Sequence, residues 1–174
     1  MNLNELNSQK LLLEKALEPL SASDLEELKR IEKLDVLGFT EADVRAEIID
    51  PIIRILGYRK GLTYSVDREK HIRFLGKTSR YIDYNLTLWE KNFWLIEAKK
   101  PMPYKSEFGY DELSQAVEYA THPDIDAALV VLCDGLKLEV FDREQNVEEP
   151  LLRIALSEII THVEDLRKLL DPMQ

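Results

Sequence analysis

The sequence predicts a mixed α/β domain with a central sheet flanked by helices, and three observations carry that reading. Apolar residues recur at helical spacing near the start, in the middle and at the end of the chain. Between them, residues 62–99 hold four short runs rich in β-branched and aromatic residues. Finally, ALVVLCDGLKLEVFD has the form of a hairpin, two β-rich runs around Asp134-Gly135. The chain of 174 residues is large enough for one domain with its own core, and its 45% hydrophobic and 32% charged content is ordinary for a globular protein.

Taken in order, residues 5–18 read as a helix, with Leu6, Leu13 and Leu17 on one face and Leu12 and Ala16 beside it. Ser21-Ala-Ser-Asp breaks it, and Ser23 with Glu26 supplies a capping box for a second helix carrying Leu25, Leu28 and Ile31. Gly38 closes this pair. Thr40 then caps a third helix, TEADVRAEIIDPIIRILGY, with Asp43 at its N3 position and a kink expected at Pro51. Strands follow at 62–66, 71–75, 81–88 and 93–99. A helix over 109–121 stops at His122-Pro123, and after the hairpin a last helix spans 156–170 with Ile159, Val163, Leu166 and Leu170 inward. The division expected is an N-terminal helical extension, 1–38, and a functional domain, 39–174.

Composition excludes several classes. No apolar run approaches the roughly 18 residues of a membrane span, and MNLNELNSQK lacks the apolar stretch of a signal peptide. The single cysteine, Cys133, lies in an apolar run and reads as a core residue of a cytoplasmic protein. His71, His122 and His162 have no metal-ligand spacing, and no Gly-x-Ser-x-Gly elbow is present. Gly76-Lys77-Thr78 has the tail of a phosphate-binding loop, but His71 stands where the leading glycine belongs. Trp89 and Trp94 read as hairpin or core packing rather than as base-stacking platforms. The net charge of −10 is unevenly spread: residues 54–105 carry twelve Lys/Arg against five Asp/Glu, net +7, and the remainder carries −17. A basic surface on an acidic body follows from that asymmetry.

The chemistry concentrates in 81-YIDYNLTLWEKNFWLIEAKKP-101. Strand alternation puts Tyr81, Asp83, Asn85 and Thr87 on one face, opposite Ile82, Tyr84, Leu86 and Leu88. It puts Glu97 and Lys99 together on the next strand, roughly 6.6 Å apart. A three- or five-residue loop centred on Glu90 sets Asp83 across from Glu97, with Cβ atoms about 5 Å apart. A two-residue turn at Glu90-Lys91 would set Asp83 on the wrong face unless a bulge restored it. Two carboxylates that close repel unless a cation lies between them, and Mg²⁺, which takes one or two carboxylates and keeps its waters, suits the pair. A lysine beside that ion could stabilise charge developing on phosphorus.

Asp83, thirteen intervening residues, then Glu97-Ala98-Lys99 on consecutive strands after a helix resembles the PD-(D/E)xK nuclease signature, with Ile82 in the proline position. More narrowly, TEADVRAEIIDPIIRILGY, RYIDYNL, WLIEAKKP, QAVEYA and LCDGLKLEVFD occur in the order seen in the N-terminal nuclease domain of type I restriction enzyme R subunits. These pieces cover about residues 39–142.

The resemblance implies a restriction-endonuclease-like core and a Mg²⁺-dependent DNA endonuclease, with Mn²⁺ as a substitute ion. It implies Asp83 and Glu97 as metal ligands with the Ala98 carbonyl, and Lys99 as the residue that stabilises the transition state. A glutamate of the first helix of the domain is expected to join them; Glu47 and Glu41 both qualify, and Glu47, mid-helix, is preferred. Gln115 and Tyr119, one helical turn apart, match the family's Gln-x-x-x-Tyr and would position the DNA backbone or the carboxylates. Arg80, Lys77 and Arg73 are the phosphate-contact candidates. The motor that such R subunits carry does not fit in 174 residues, so partners beyond DNA would be motor, methylase or specificity subunits. The rival reading is a non-cleaving module that keeps the nuclease fold and docks such a partner.

Overall fold

Ser21, not Ser23, opens the first helix seen in the computed structural model, which describes residues 17–74, 79–144 and 149–172. The expected helix over 5–18 falls almost wholly outside those residues. Ser21 accepts from the Asp24 amide while the Asp24 carboxylate accepts from the Ser21 amide, and this box starts α1, Ala22–Glu32. The box is shifted two residues because Asp24 reaches back as well as Glu26 would have done. Leu28, Ile31 and Val36 enter the same core as the sheet.

The next helix, α2, spans 41–55 and has three parts: Glu41–Val44, a π-helical turn over Arg45–Ile49, and Asp50–Ile55. Thr40 and Asp43 form the expected capping box. The irregularity expected at Pro51 is the π turn that ends just before it. Proline has no N–H to give the Glu47 carbonyl four residues back. Arg30 supplies the missing donor: its Nη2 reaches that carbonyl at 2.7 Å, and its Nη1 reaches the Glu47 carboxylate at 3.0 Å.

Among the described residues six strands form one sheet in chain order: β1 Tyr64–Arg73, β2 Ser79–Leu88, β3 Lys91–Ala98, β4 Leu129–Cys133, β5 Lys137–Asp142 and β6 Leu152–Ala155. The two runs expected at 62–66 and 71–75 are one strand, and β6 has no counterpart in the sequence reading because four residues with Arg153 among them give no pattern. All neighbours are antiparallel except β3 and β4, whose parallel crossover contains α3, Tyr110–Ala120. The closing helix α4, Ile159–Leu170, buries the residues expected, Ile159, Val163, Leu166 and Leu170.

The sheet separates two apolar layers. Helices α1, α2 and α4 cover one face, over Tyr84, Trp94, Ile96, Ala98 and Val131. On the other face, Ala116, Tyr119 and Ala120 of α3 cover Leu95, Val130 and Leu132. Gly135, at φ +85°, turns the chain from β4 to β5. A Cβ there would lie 3.2 Å from Ile48 of α2, so the turn also lets that helix lie close on the sheet. No helix among the described residues is long and apolar enough to cross a membrane.

Strict alternation fails in the β1–β2 ribbon. Val66, Tyr84 and Leu86 pack in the first layer, but Ile72 and Ile82, also even-numbered, pack in the second. The ribbon turns over at Glu69, whose φ is +53°, and Asp83 lies opposite it in the register. Ile82 therefore leaves the face it was expected to share with Tyr84. The overhanging end reaches α3, where Phe74 meets Tyr119 and His122.

Replacing Arg30 with alanine strips the helix break of its donor at an exposed contact and should lower unfolding free energy by about 1 kcal/mol. Glu47→Gln keeps the carbonyl contact and should cost well under 1 kcal/mol by comparison. Urea titration of both variants checks the difference, and equal losses would contradict this account of the Pro51 break.

Candidate active site

Residues between β2 and β3 number two, Trp89 and Glu90, both at positive φ, +50° and +68°. That is the backbone a tight twisted hairpin turn requires. The expected three- or five-residue loop is therefore replaced by the alternative that needs a bulge. Pairing runs Leu88 with Lys91 and Thr87 with Asn92, then jumps to Leu86 with Trp94, leaving Phe93 as the extra residue. Without it Ile96 would face Asp83. With it the register continues through Tyr84 and Ile96 to place Asp83 across from Glu97.

There the ladder ends and the two side chains take over. Asp83 Oδ2 accepts from the Ala98 amide at 2.8 Å, and Glu97 Oε1 accepts from the Asp83 amide at 3.2 Å. Each carboxylate thus caps a backbone donor of the opposite strand. Glu97 is 5% exposed, and its carboxyl is pushed up to about 8, by loss of water first and by the Asp83 charge next. The Lys99 charge pulls in the other direction.

Lys99 is held in turn. Its Nζ donates to Gln115 Oε1 at 2.9 Å, and Gln115 Nε2 donates to the Tyr119 hydroxyl at 2.8 Å. Gln115 and Tyr119 share a face of α3 because they are four residues apart. Tyr119 is 2% exposed and packs on Phe74. It has no surface to offer a phosphate, so its expected DNA contact gives way to bracing Gln115. Beyond Lys99, the buried Asp134 accepts from the Met102 amide and from Lys137 Nζ, fixing the chain as it leaves β3.

The structure does not bring Glu47 to this site. Its carboxylate is paired with Arg30 on the side of α2 that meets α1. Glu41 is the helix glutamate whose charge reaches Glu97 and raises it further. Arg45, one turn beyond Glu41, is a member the sequence reading missed: its Nη1 donates to Asp83 Oδ1 at 3.2 Å and to Glu69 Oε1 at 3.3 Å. The signal was present, since residues 41 and 45 share a helix face and residue 47 does not.

Arg80 and Arg73 lie on the overhanging end of the ribbon. The Arg80 guanidinium is 3.5 Å from Glu118 and lies over the Phe74 ring. Arg73, exposed, lines a cleft with Glu118 and His122 that none of Asp83, Glu97 and Lys99 borders. Lys77 falls outside the described residues.

Among the described residues no three His, Cys, Asp or Glu side chains cluster closely enough to hold a metal by themselves. Mg²⁺ asks for less, one or two carboxylates with waters completing its octahedron. Asp83 and Glu97 supply two. The Ala98 amide points at Asp83, and in an extended strand the carbonyl of the same residue faces the same neighbour. The Asp83 charge adds to burial in raising Glu97, a repulsion that a cation between the two carboxylates would relieve. The donor set fits.

No family model matches the sequence, and no curated protein does. Among solved structures, a chain of a DrdV–DNA complex determined by cryoEM is similar in fold, with a TM-score of 0.57 at 15% identity. The match covers 84% of this chain and 14% of that one. This chain thus spans about one seventh of the length of the chain it resembles and shares its fold with that portion.

Because the folded Glu97 carboxyl titrates above its ordinary 4.5, the folded state holds a proton that the unfolded state has lost between about pH 4.5 and 8. Stability without added metal should therefore fall as pH rises through that window. Glu97→Gln, which cannot ionise, should flatten the fall, and melting temperatures across pH 4.5 to 8 for both proteins check it.

Proposed function

We propose that this chain is a metal-dependent DNA endonuclease domain of the PD-(D/E)xK kind, related to the nuclease domain of type I restriction R subunits. The observation that carries the reading is the facing of Asp83 and Glu97 across the β2–β3 end, with Lys99 beside them and oriented by Gln115. The similar chain was determined in complex with DNA, which supports DNA as the substrate here. The match spans 14% of that chain, and motor, methylase or specificity subunits are the partners this reading assigns to such a domain.

Asp83, Glu97 and the Ala98 carbonyl would hold Mg²⁺, or Mn²⁺ in its place. Bound there, the ion supplies Lewis-acid polarisation of the scissile phosphate and a more acidic water. The chain's own part is positional. Lys99 places its ammonium where negative charge grows on the phosphate oxygens, and Gln115 keeps it from swinging to solvent. Tyr119 holds Gln115 from within the core. Glu41, rather than Glu47, is the helix carboxylate whose charge reaches Glu97, and this reading assigns it the supporting role. The basic segment around the β1–β2 ribbon would lie along the backbone, giving affinity that falls steeply with salt and reads no sequence.

Supercoiled plasmid at low salt with Mg²⁺ or Mn²⁺ should be nicked by the wild-type chain and left intact by Lys99→Ala. Equal inertness of both, together with no metal uptake by calorimetry, would overturn the proposal. Tyr119→Phe separates bracing from binding: loss of one buried hydrogen bond of about 1 kcal/mol should slow nicking several-fold with DNA affinity unchanged. An affinity loss matching the loss of rate would return Tyr119 to the DNA contacts.

A further inference from the structure

Arg45 stands on the oxygen a cation would need. Of the two Asp83 oxygens, Oδ2 is committed to the Ala98 amide, and Oδ1 holds the Arg45 guanidinium. The same Nη1 is shared with Glu69, whose side chain is 66% exposed. The guanidinium therefore lies between an inner carboxylate in the site and an outer one beside it.

Its root does not move with it. The Arg45 carbonyl accepts from the Asp50 amide to close the π turn, and the Tyr84 hydroxyl reaches it at 3.4 Å. A fixed backbone with a long side chain is free to exchange partners while α2 stays on the sheet. Glu69 owes its position to the positive φ at which the ribbon turns over, a conformation costly for glutamate. That turn brings a second carboxylate to Arg45, which ordinary strand geometry would have aimed elsewhere.

We infer that Arg45 is a built-in counter-cation: it neutralises Asp83 before a divalent ion binds, and the ion displaces it onto Glu69. This rests on the metal-dependent reading above. The ion's two charges then take the place of the guanidinium's one at Asp83, while the guanidinium withdraws by the length of one contact to Glu69. It also means that the ion binds against a competitor, so the apparent affinity of the wild-type chain is set partly by Arg45.

Calorimetric titration of the full chain with Mn²⁺ tests this without reference to cleavage. Arg45→Gln should bind Mn²⁺ roughly tenfold more tightly than wild type, because a cation a few ångströms from the ion has been removed. Arg45→Lys should return most of the way to the wild-type value. Without metal Arg45→Gln should melt lower than wild type, and with saturating Mn²⁺ the gap should close. Glu69→Gln should weaken Mn²⁺ binding in the wild-type background and change it much less beside Arg45→Gln. If Arg45→Gln is folded by circular dichroism and binds Mn²⁺ no more tightly than wild type, Arg45 is a brace between α2 and β2, and the nuclease reading survives. If it unfolds, the Glu69→Gln affinity decides the point, and Mn²⁺ binding there no weaker than in wild type overturns the displacement. If neither wild type nor any variant takes up Mn²⁺, the metal-dependent reading fails and the displacement with it.

Discussion

Where β2 and β3 part, two carboxylates do the work of a hydrogen-bond ladder. Asp83 caps the Ala98 amide and Glu97 caps the Asp83 amide, so the strands separate without leaving these donors bare. An uncapped buried amide costs about 1–3 kcal/mol. The same bonds aim each acid at the other strand and hold the pair face to face. Structure and chemistry therefore share the same atoms: removing either acid to test function also removes a cap. For that reason Lys99, Arg45 and Tyr119, which cap no strand amide, are cleaner probes than Asp83 itself.

Three backbone irregularities bring this about, and all lie within a few residues of the site. A two-residue turn at positive φ closes the hairpin, a bulge at Phe93 resets its register, and Glu69 turns the β1–β2 ribbon over opposite Asp83. Each is unfavourable locally for the residue concerned, because Trp, Glu and Phe gain nothing from left-handed or bulged backbone. The apolar layers on either side over-determine them: Trp94 donates to Tyr58 beneath α2, and Ile82 and Ile72 dock with α3. Local strain held in place by surrounding packing is common at functional sites.

These irregularities also mark where the sequence was readable. Helix α2 with its Thr40–Asp43 box, the β4–β5 hairpin, and the inward stripe of α4 follow from periodicity and capping, which act within a few residues. The facing of Asp83 and Glu97 was legible as a requirement, since only certain loops satisfy it. Which loop satisfies it was not, because Trp89-Glu90 carries none of the Asn-Gly chemistry that announces a tight turn. The Glu47 preference failed for a longer-range reason. Burial among packed residues favoured it, but Pro51 left its carbonyl without a donor and Arg30, 17 residues back, claimed both ends of the residue. Arg45 was within reach of helix periodicity, but its meeting with Glu69 was not, because it depends on the turn-over of the ribbon, a tertiary event.

A site built from two close acids must still fold before any cation reaches it. Burial raises Glu97 toward its neutral form, which removes most of the repulsion with Asp83 near neutral pH. Arg45 compensates the charge that Asp83 keeps, and Gln115 holds Lys99 within reach of Glu97. The resting site is thus balanced internally by one proton and one guanidinium. A divalent ion binding there would replace both, releasing the proton from Glu97 and the guanidinium from Asp83. Two positive charges arrive while one proton leaves and the guanidinium shifts by one contact to Glu69, so loading the site would make the −10 chain less negative by one.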